Sequence, residues 1–128
     1  IRINNGQGAA LVDAIPILVD TCEVECSMGT VQVVLQLGNS GLADIPANTP
    51  LSLYAEVNGE QTLLETIFTD NIVYSGRSSP GIPITLETIL IPEGKLWVVV
   101  DDDGTGAGRL EECMEENNAL LIDEGLCQ

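Results

Sequence analysis

The chain has 128 residues, the usual size of one domain with one hydrophobic core. Its 4 Lys and Arg residues against 20 Asp and Glu residues, with no His, give a formal net charge of −16. Such a surface repels phosphate backbones and anionic lipid, so the composition excludes nucleic acid and the membrane surface as partners. No apolar run approaches the roughly 18 residues of a membrane helix, and we expect no membrane insertion.

Strand patterns recur along the chain between turn signals, and no stretch has a convincing helical period. The first pattern, residues 10–19, is apolar and interrupted by Pro16, which suits an edge strand with a kink. The second, residues 30–37, alternates apolar and polar side chains and ends at Asn39-Ser40-Gly41. These two patterns predict the first two strands of a sheet protein.

A hairpin follows. Residues 51–57 alternate in the same way, and Asn58-Gly59 then predicts a type I′ turn, because both turn positions require a positive φ. The predicted return strand runs over residues 61–69.

Three further strands complete the pattern. Residues 84–91 precede the turn Pro92-Glu93-Gly94, and residues 96–100 are continuously apolar, which predicts a central strand buried on both faces with Trp97 in the core. Residues 119–122 form the last predicted strand. About seven strands with a turn every ten or so residues indicate an all-β fold, a seven-stranded antiparallel β-sandwich of the immunoglobulin or fibronectin III type.

Four cysteines, Cys22, Cys26, Cys113 and Cys127, occur in a chain without His. Their spacings lack the paired C-x2-C elements of structural zinc sites, so we predict disulfides and an oxidising compartment. Of the three possible pairings we favour Cys22–Cys26 with Cys113–Cys127, because both close short loops. The strand count places Cys113 at the end of the sandwich opposite the other three, so every pairing requires residues 101–116 to fold back or the last strand to be short.

Residues 101–112 have the spacing of a twelve-residue calcium loop, with Asp at positions one and three, Gly at six and Glu at twelve. Packing so many carboxylates on one loop is repulsive unless a cation lies between them. We therefore predict one calcium ion, and the alternative is a solvated acidic hairpin tip. The predicted ligands are Asp101, Asp103, Thr105, the carbonyl of Ala107, and Glu112.

Two residues beyond this loop have alternative interpretations. Glu115 stays open as a further oxygen ligand, whereas we expect the side chain of Asn118 to bond backbone groups where the last strand begins.

The sequence predicts no enzymatic activity. The acidic residues crowd one loop, and with 3% aromatic residues there are few platforms for a sugar, so a glycosidase pair is not expected. Ser75, Ser78 and Ser79 have no His to act as a base, and nothing marks Lys95 as a partner for them.

The order of these motifs resembles the CARDB family, the cell-adhesion-related domain found in bacteria. The matching segments are GNSGLADIPANTPLSLY at residues 38–54, IPEGK at residues 91–95, and VVVDDDG…EECMEENN at residues 98–118. The resemblance implies a fibronectin III- or immunoglobulin-like sandwich without catalytic residues, displayed at the cell surface or outside the cell, and often one of several domains in its chain.

The expected function is that of a non-catalytic extracellular adhesion or spacer module in a bacterial surface protein. Its partners would be other domains of the same chain, surface proteins or glycans. The alternative is a calcium-dependent carbohydrate- or protein-binding module that uses residues 101–116. The chain opens at Ile1 with neither an initiator Met nor a signal peptide, so we expect residues 1–128 to be a single CARDB-like domain cut from a larger surface or secreted protein.

Overall fold

A computed structural model describes residues 12–101, 118–123 and 125–128. These residues contain seven strands and two short 3₁₀ helices, Cys26–Met28 and Thr88–Leu90. No helix in these ranges is long and apolar enough to cross a membrane. The strands are β1 (Ala14–Cys22), β2 (Thr30–Asn39), β3 (Pro50–Val57), β4 (Glu60–Phe68), β5 (Ile82–Glu87), β6 (Leu96–Val100) and β7 (Ala119–Ile122).

The strands form two antiparallel sheets. One has the order β1-β2-β5 and the other the order β4-β3-β6-β7. This arrangement confirms the predicted all-β, seven-stranded antiparallel sandwich. The predicted hairpin turn between β3 and β4 is confirmed as well, because Asn58 and Gly59 have φ angles of 55° and 82°.

The core lies between the sheets and is aliphatic. Alternate side chains of β2 and β3 point into it, as their sequence patterns predict, since successive side chains of a strand face opposite sides of its sheet. Full burial of one such side chain stabilises the fold by about 1.5–3 kcal/mol, so the alternation fixes which face of each sheet turns inward. The buried members are Val31, Val33, Leu35 and Leu37 in β2, and Leu51, Leu53 and Ala55 in β3.

Strand β6 is buried on one face only, so the prediction of burial on both faces is wrong. Trp97 and Val99 are half-buried on the outer face, where Trp97 pairs with Tyr54 of β3 and its Nε1 donates a hydrogen bond to Glu56 Oε1 at 2.7 Å. The prediction that Trp97 lies in the core is therefore wrong as well. A short apolar run cannot distinguish a strand with two buried faces from one whose outer face is covered by its neighbours.

Two other strands differ from their predicted form. Strand β5 ends at Glu87, and the 3₁₀ helix Thr88–Leu90 replaces the rest of the predicted strand. Strand β1 is an edge strand, as predicted, but its irregularity falls between Leu18 and Asp20 rather than at Pro16. Pro16 does not interrupt the strand, because one side of an edge strand has no neighbour that needs a backbone N–H.

The turns gather at the two ends of the sandwich. Residues 22–30, 57–60, 87–95, 122–123 and 125–128 lie at one end, which we call the disulfide end. Residues 12–13, 39–50 and 68–81 lie at the other, together with Asp101 and Asn118, and we call this the Asn39 end.

Candidate metal centre

The side chain of Asn39 organises the Asn39 end. It is buried, and its Oδ1 accepts hydrogen bonds from the backbone N–H groups of Gly41 at 2.9 Å and Asp13 at 3.3 Å. Its Nδ2 donates to the carbonyl oxygens of Ala43 at 2.7 Å and Val73 at 3.1 Å. One amide therefore holds the entry to β1 and two loops together.

Asp13 is buried beside this amide. Its backbone is fixed on both sides, because its N–H donates to Asn39 Oδ1 and its carbonyl accepts from Ser40 N at 3.0 Å. The residue is 7% exposed, and its Oδ1 is buried with no hydrogen-bond partner. A carboxylate oxygen removed from water without a donor is costly unless a cation or a proton compensates for it.

Two more oxygen-bearing side chains occupy the ends of neighbouring strands. Asp101 directly follows β6, is buried, and donates its N–H to the carbonyl of Pro50 at 2.7 Å. Asn118 directly precedes β7, and the pairing of Val99 with Ala119 brings both residues to the same end. The Oδ1 atoms of Asp101 and Asn118 are both buried, and each residue has further contacts.

Strand β1 adds Asp13 to the same place. Residues 16–18 of β1 line one side of a cavity, and residues 120–122 of β7 line the other. Both strands begin at the Asn39 end, so they run in the same direction. Asp13 precedes β1 as Asn118 precedes β7, and their side chains therefore belong to the same strand-end region. The Asn39 end therefore carries Asp13, Asp101 and Asn118, whose oxygens are the hard donors that calcium prefers.

Sequence reasoning identified one of these three residues as a ligand. Asp101 lies at this end, whereas the other predicted ligands lie outside the described residues and stay predictions, as does Glu115. Asp13 is a new candidate, because from the sequence it was treated only as a break in an apolar run. The available signal was a single acidic residue directly before the first residue of an apolar strand. The predicted ligands outside the described ranges are Asp103, Thr105, Ala107 and Glu112.

The cysteines pair differently from the favoured prediction. Cys26 forms a disulfide with Cys127, with Cα atoms 5.6 Å apart, so the pairing of Cys22 with Cys26 and of Cys113 with Cys127 is wrong. Cys22 is an exposed free thiol, and Cys113 lies outside the described residues. The reason is geometric: Cys26 and Cys127 share the disulfide end, and a disulfide requires nearby Cα atoms rather than a short loop.

The disulfide end also brings a carboxylate close to sulfur. Glu23 accepts a hydrogen bond from Cys127 N at 2.8 Å, and one of its oxygens lies within 4.8 Å of the sulfurs of Cys26 and Cys127. Because a metal binds the thiolate form of cysteine, two sulfurs joined to each other are poor ligands. Glu23 serves here to fix the backbone of Cys127.

Comparison with known proteins supports the fold. No family model matches the chain, and no curated protein matches it significantly. A CARDB domain from Pyrococcus furiosus, solved in complex with di-metal ions, is similar with a TM-score of 0.61 at 15% identity, over 88% of this chain and 85% of that one.

A second structure matches more weakly. A beta-glucosidase from Kluyveromyces marxianus aligns with a TM-score of 0.43 at 13% identity, over 91% of this chain but 14% of that one. A likeness this weak does not establish a shared fold or function. The fold is that of a CARDB-like β-sandwich, as the order of the sequence motifs predicts.

Proposed function

We propose that the chain is a non-catalytic extracellular module that spaces or attaches domains of a bacterial surface protein, and that bound calcium stabilises its Asn39 end. The observation that carries the proposal is the buried carboxylate of Asp13, whose Oδ1 has no hydrogen-bond partner. Asp101 and Asn118 lie at the same end of the sandwich. Residues 1–128 would act as one such module.

Several features support a structural rather than a catalytic role. The chain has no His, and the hydroxyls of Ser75 and Ser79 donate to the backbone carbonyls of Gly41 and Pro80. These serines thus hold loops in place. The Cys26–Cys127 disulfide favours an oxidising, extracellular setting.

The cation proposal has support from a neighbour and from chemistry. The similar domain from Pyrococcus furiosus was solved with di-metal ions. In this chain the donors at the strand ends are carboxylate and amide oxygens, which favour calcium over softer metals. Calcium would supply positive charge to Asp13 and Asp101 and thereby hold the start of β1 against the β6–β7 edge.

Thermal unfolding in EDTA and in excess calcium tests this site through Asp13→Asn. The parent chain should gain about 2.7 kcal/mol when calcium stands 100-fold above its Kd. The variant should gain little, because the neutral amide loses the charge that attracts the ion. In EDTA the variant should be the more stable of the two, since it no longer buries an uncompensated carboxylate.

A matched control is Asp70→Asn, which makes the same charge change at an exposed position of the same end. Its calcium response should equal that of the parent. Equal responses in Asp13→Asn and the parent would exclude Asp13 as a ligand, and no calcium response in the parent would overturn the cation proposal.

A glycan array read with calcium and with chelator distinguishes a spacer from the alternative, a calcium-dependent binding module, because only the binding module would show calcium-gated signals.

A further inference from the structure

Four large apolar side chains are exposed together at the disulfide end. Val24 is 82% exposed, Met28 78%, Ile89 78% and Leu90 47%. They belong to the turn around the 3₁₀ helix Cys26–Met28 and to the 3₁₀ helix Thr88–Leu90. We call this group the apolar tip. Exposed apolar residues are unremarkable one at a time, but several on adjacent turns are typical of a surface of interaction.

The two turns of the apolar tip are adjacent. Thr30 pairs with Glu87 at the end of the β2–β5 ladder, directly between the turns. Beyond that pair, Thr88 N donates a hydrogen bond to the carbonyl of Gly29 at 2.9 Å. The exposed side chains therefore lie on neighbouring segments of one surface.

Covalent and hydrogen bonds hold this surface in place. Cys26 is bonded to Cys127, and Glu23 accepts from Cys127 N at 2.8 Å. Gly29 ends the 3₁₀ helix with a φ of 92°, a left-handed conformation that favours glycine, and its N–H donates to the Cys26 carbonyl at 3.0 Å. A surface ordered before binding loses less conformational entropy when a partner docks.

Acidic residues surround the apolar tip. Glu23, Glu25 and Glu87 are exposed in the same turns or next to them. Among the described residues of this end, Lys95 is the one base, and its Nζ lies 3.9 Å from Glu56 Oε2. An apolar centre with a charged rim is the usual anatomy of a protein interface, and here the rim has one sign.

We propose that the apolar tip is a docking surface for a partner protein whose own apolar surface is ringed by Lys and Arg. Opposite charge would steer such a partner and align the two apolar centres. A second copy of this chain would bring the same acidic rim and a net charge of −16, and an anionic membrane would be repelled. The surface lies at the end opposite the proposed calcium site, so the two proposals stand or fall separately.

Nuclear magnetic resonance of the whole chain tests the proposal with two synthetic peptides. Both carry Leu-Ile-Leu at the centre, and the flanks are Lys in one and Glu in the other. The Lys-flanked peptide should shift the backbone amide signals of residues 22–30 and 87–90 and saturate. The Glu-flanked peptide should bind at least about tenfold more weakly, as expected from a few favourable rim charges.

The double variant Val24→Ser/Ile89→Ser removes the apolar centre. It should weaken the Lys-flanked peptide by about tenfold or more, given the apolar area lost, and should melt within a few degrees of the parent because both positions are exposed. The matched control is Leu42→Ser, 80% exposed at the Asn39 end, which should leave binding unchanged.

Three results would overturn the proposal. They are equal binding of the Glu-flanked peptide, binding that survives Val24→Ser/Ile89→Ser, and signal shifts confined to the Asn39 end. Sedimentation velocity adds a fourth: dimers of the parent chain that Val24→Ser/Ile89→Ser abolishes would make a second copy the occupant instead.

Discussion

At the disulfide end a covalent bond joins Cys26 to Cys127, whereas at the Asn39 end hydrogen bonds from one buried amide hold the entry to β1 and two loops. The first end is closed covalently, and its exposed apolar side chains lie on two adjacent turns. The second end also exposes apolar side chains, among them Leu42, but it is held without a described covalent bond and has a buried carboxylate within it. The same sandwich thus ends in two surfaces with different chemistry.

The two kinds of bond act on different states of the chain. In the chain-entropy account, a disulfide stabilises mainly by restricting the unfolded ensemble. A buried hydrogen-bonded amide acts in the folded state, where each partner left without a bond carries a desolvation cost. Variants at the two ends should therefore differ in size of effect and in dependence on redox conditions.

Removing the disulfide should have the largest effect. The double variant Cys26→Ser/Cys127→Ser should lose about 4 kcal/mol of unfolding free energy, because the bond closes a loop with a sequence separation of 101. Denaturant titration of both chains measures the difference. Cys22→Ser, at the exposed free thiol, is the control and should change stability by less than about 0.5 kcal/mol. If this double variant loses less unfolding free energy than Asn39→Ala, the disulfide is not the stronger of the two devices.

Asn39→Ala should come second, with a loss of about 3 kcal/mol. The change leaves two backbone N–H groups and the Ala43 carbonyl without the partner that Asn39 supplies, whereas the Val73 carbonyl still accepts from Ile45 N. Such groups cost about 1–3 kcal/mol when they stay buried. The loss should persist in reducing buffer, unlike that of the disulfide variant. Asn71→Ala, exposed at the same end, is the control. Equal melting curves for Asn39→Ala and Asn71→Ala would show that the Asn39 side chain does not stabilise this end.

The smallest effect should come from the ion pair between Lys95 and Glu56. Lys95 Nζ lies 3.9 Å from Glu56 Oε2, and both side chains are partly exposed, so Lys95→Met should cost less than about 1 kcal/mol. Glu56→Gln should cost more, because the Trp97 indole then donates to a neutral oxygen. A double-mutant cycle separates the two contacts, and a larger loss in Lys95→Met would contradict this order.

The strands could be predicted because their patterns depend on local chemistry. The alternation in β2 and β3 has a period that only a strand with one buried face explains, and Asn58-Gly59 specifies its turn. Strand β6 is a plain apolar run, and there the prediction that Trp97 is buried was wrong. Whether the outer face of such a strand is covered depends on the neighbouring strands and not on its own sequence. The failure at the end of β5 has the same origin, because Ile89 and Leu90 look like strand residues but lie exposed in a 3₁₀ helix.

The candidate site was harder to predict because it depends on contacts between distant residues. Asp101 carried a motif, whereas Asp13 became a candidate only because the fold buries it at the same end. The disulfide shows the same limit. Loop length favoured a pairing of Cys22 with Cys26, but the shared end of Cys26 and Cys127, already indicated by the strand count, was the better guide.

The Cys26–Cys127 bond has a mechanical consequence for a module that joins other domains. When a pulling force enters at β1 and leaves beyond Cys127, its covalent path crosses this bond and bypasses the backbone between the two cysteines. The segment from Ala14 to Cys26 can be straightened to a total length of about 40 Å, little more than it already has because most of it is a strand. The module would then behave under load as a short tether attached to a rigid body, and the second sheet would stay folded while β1 is stretched.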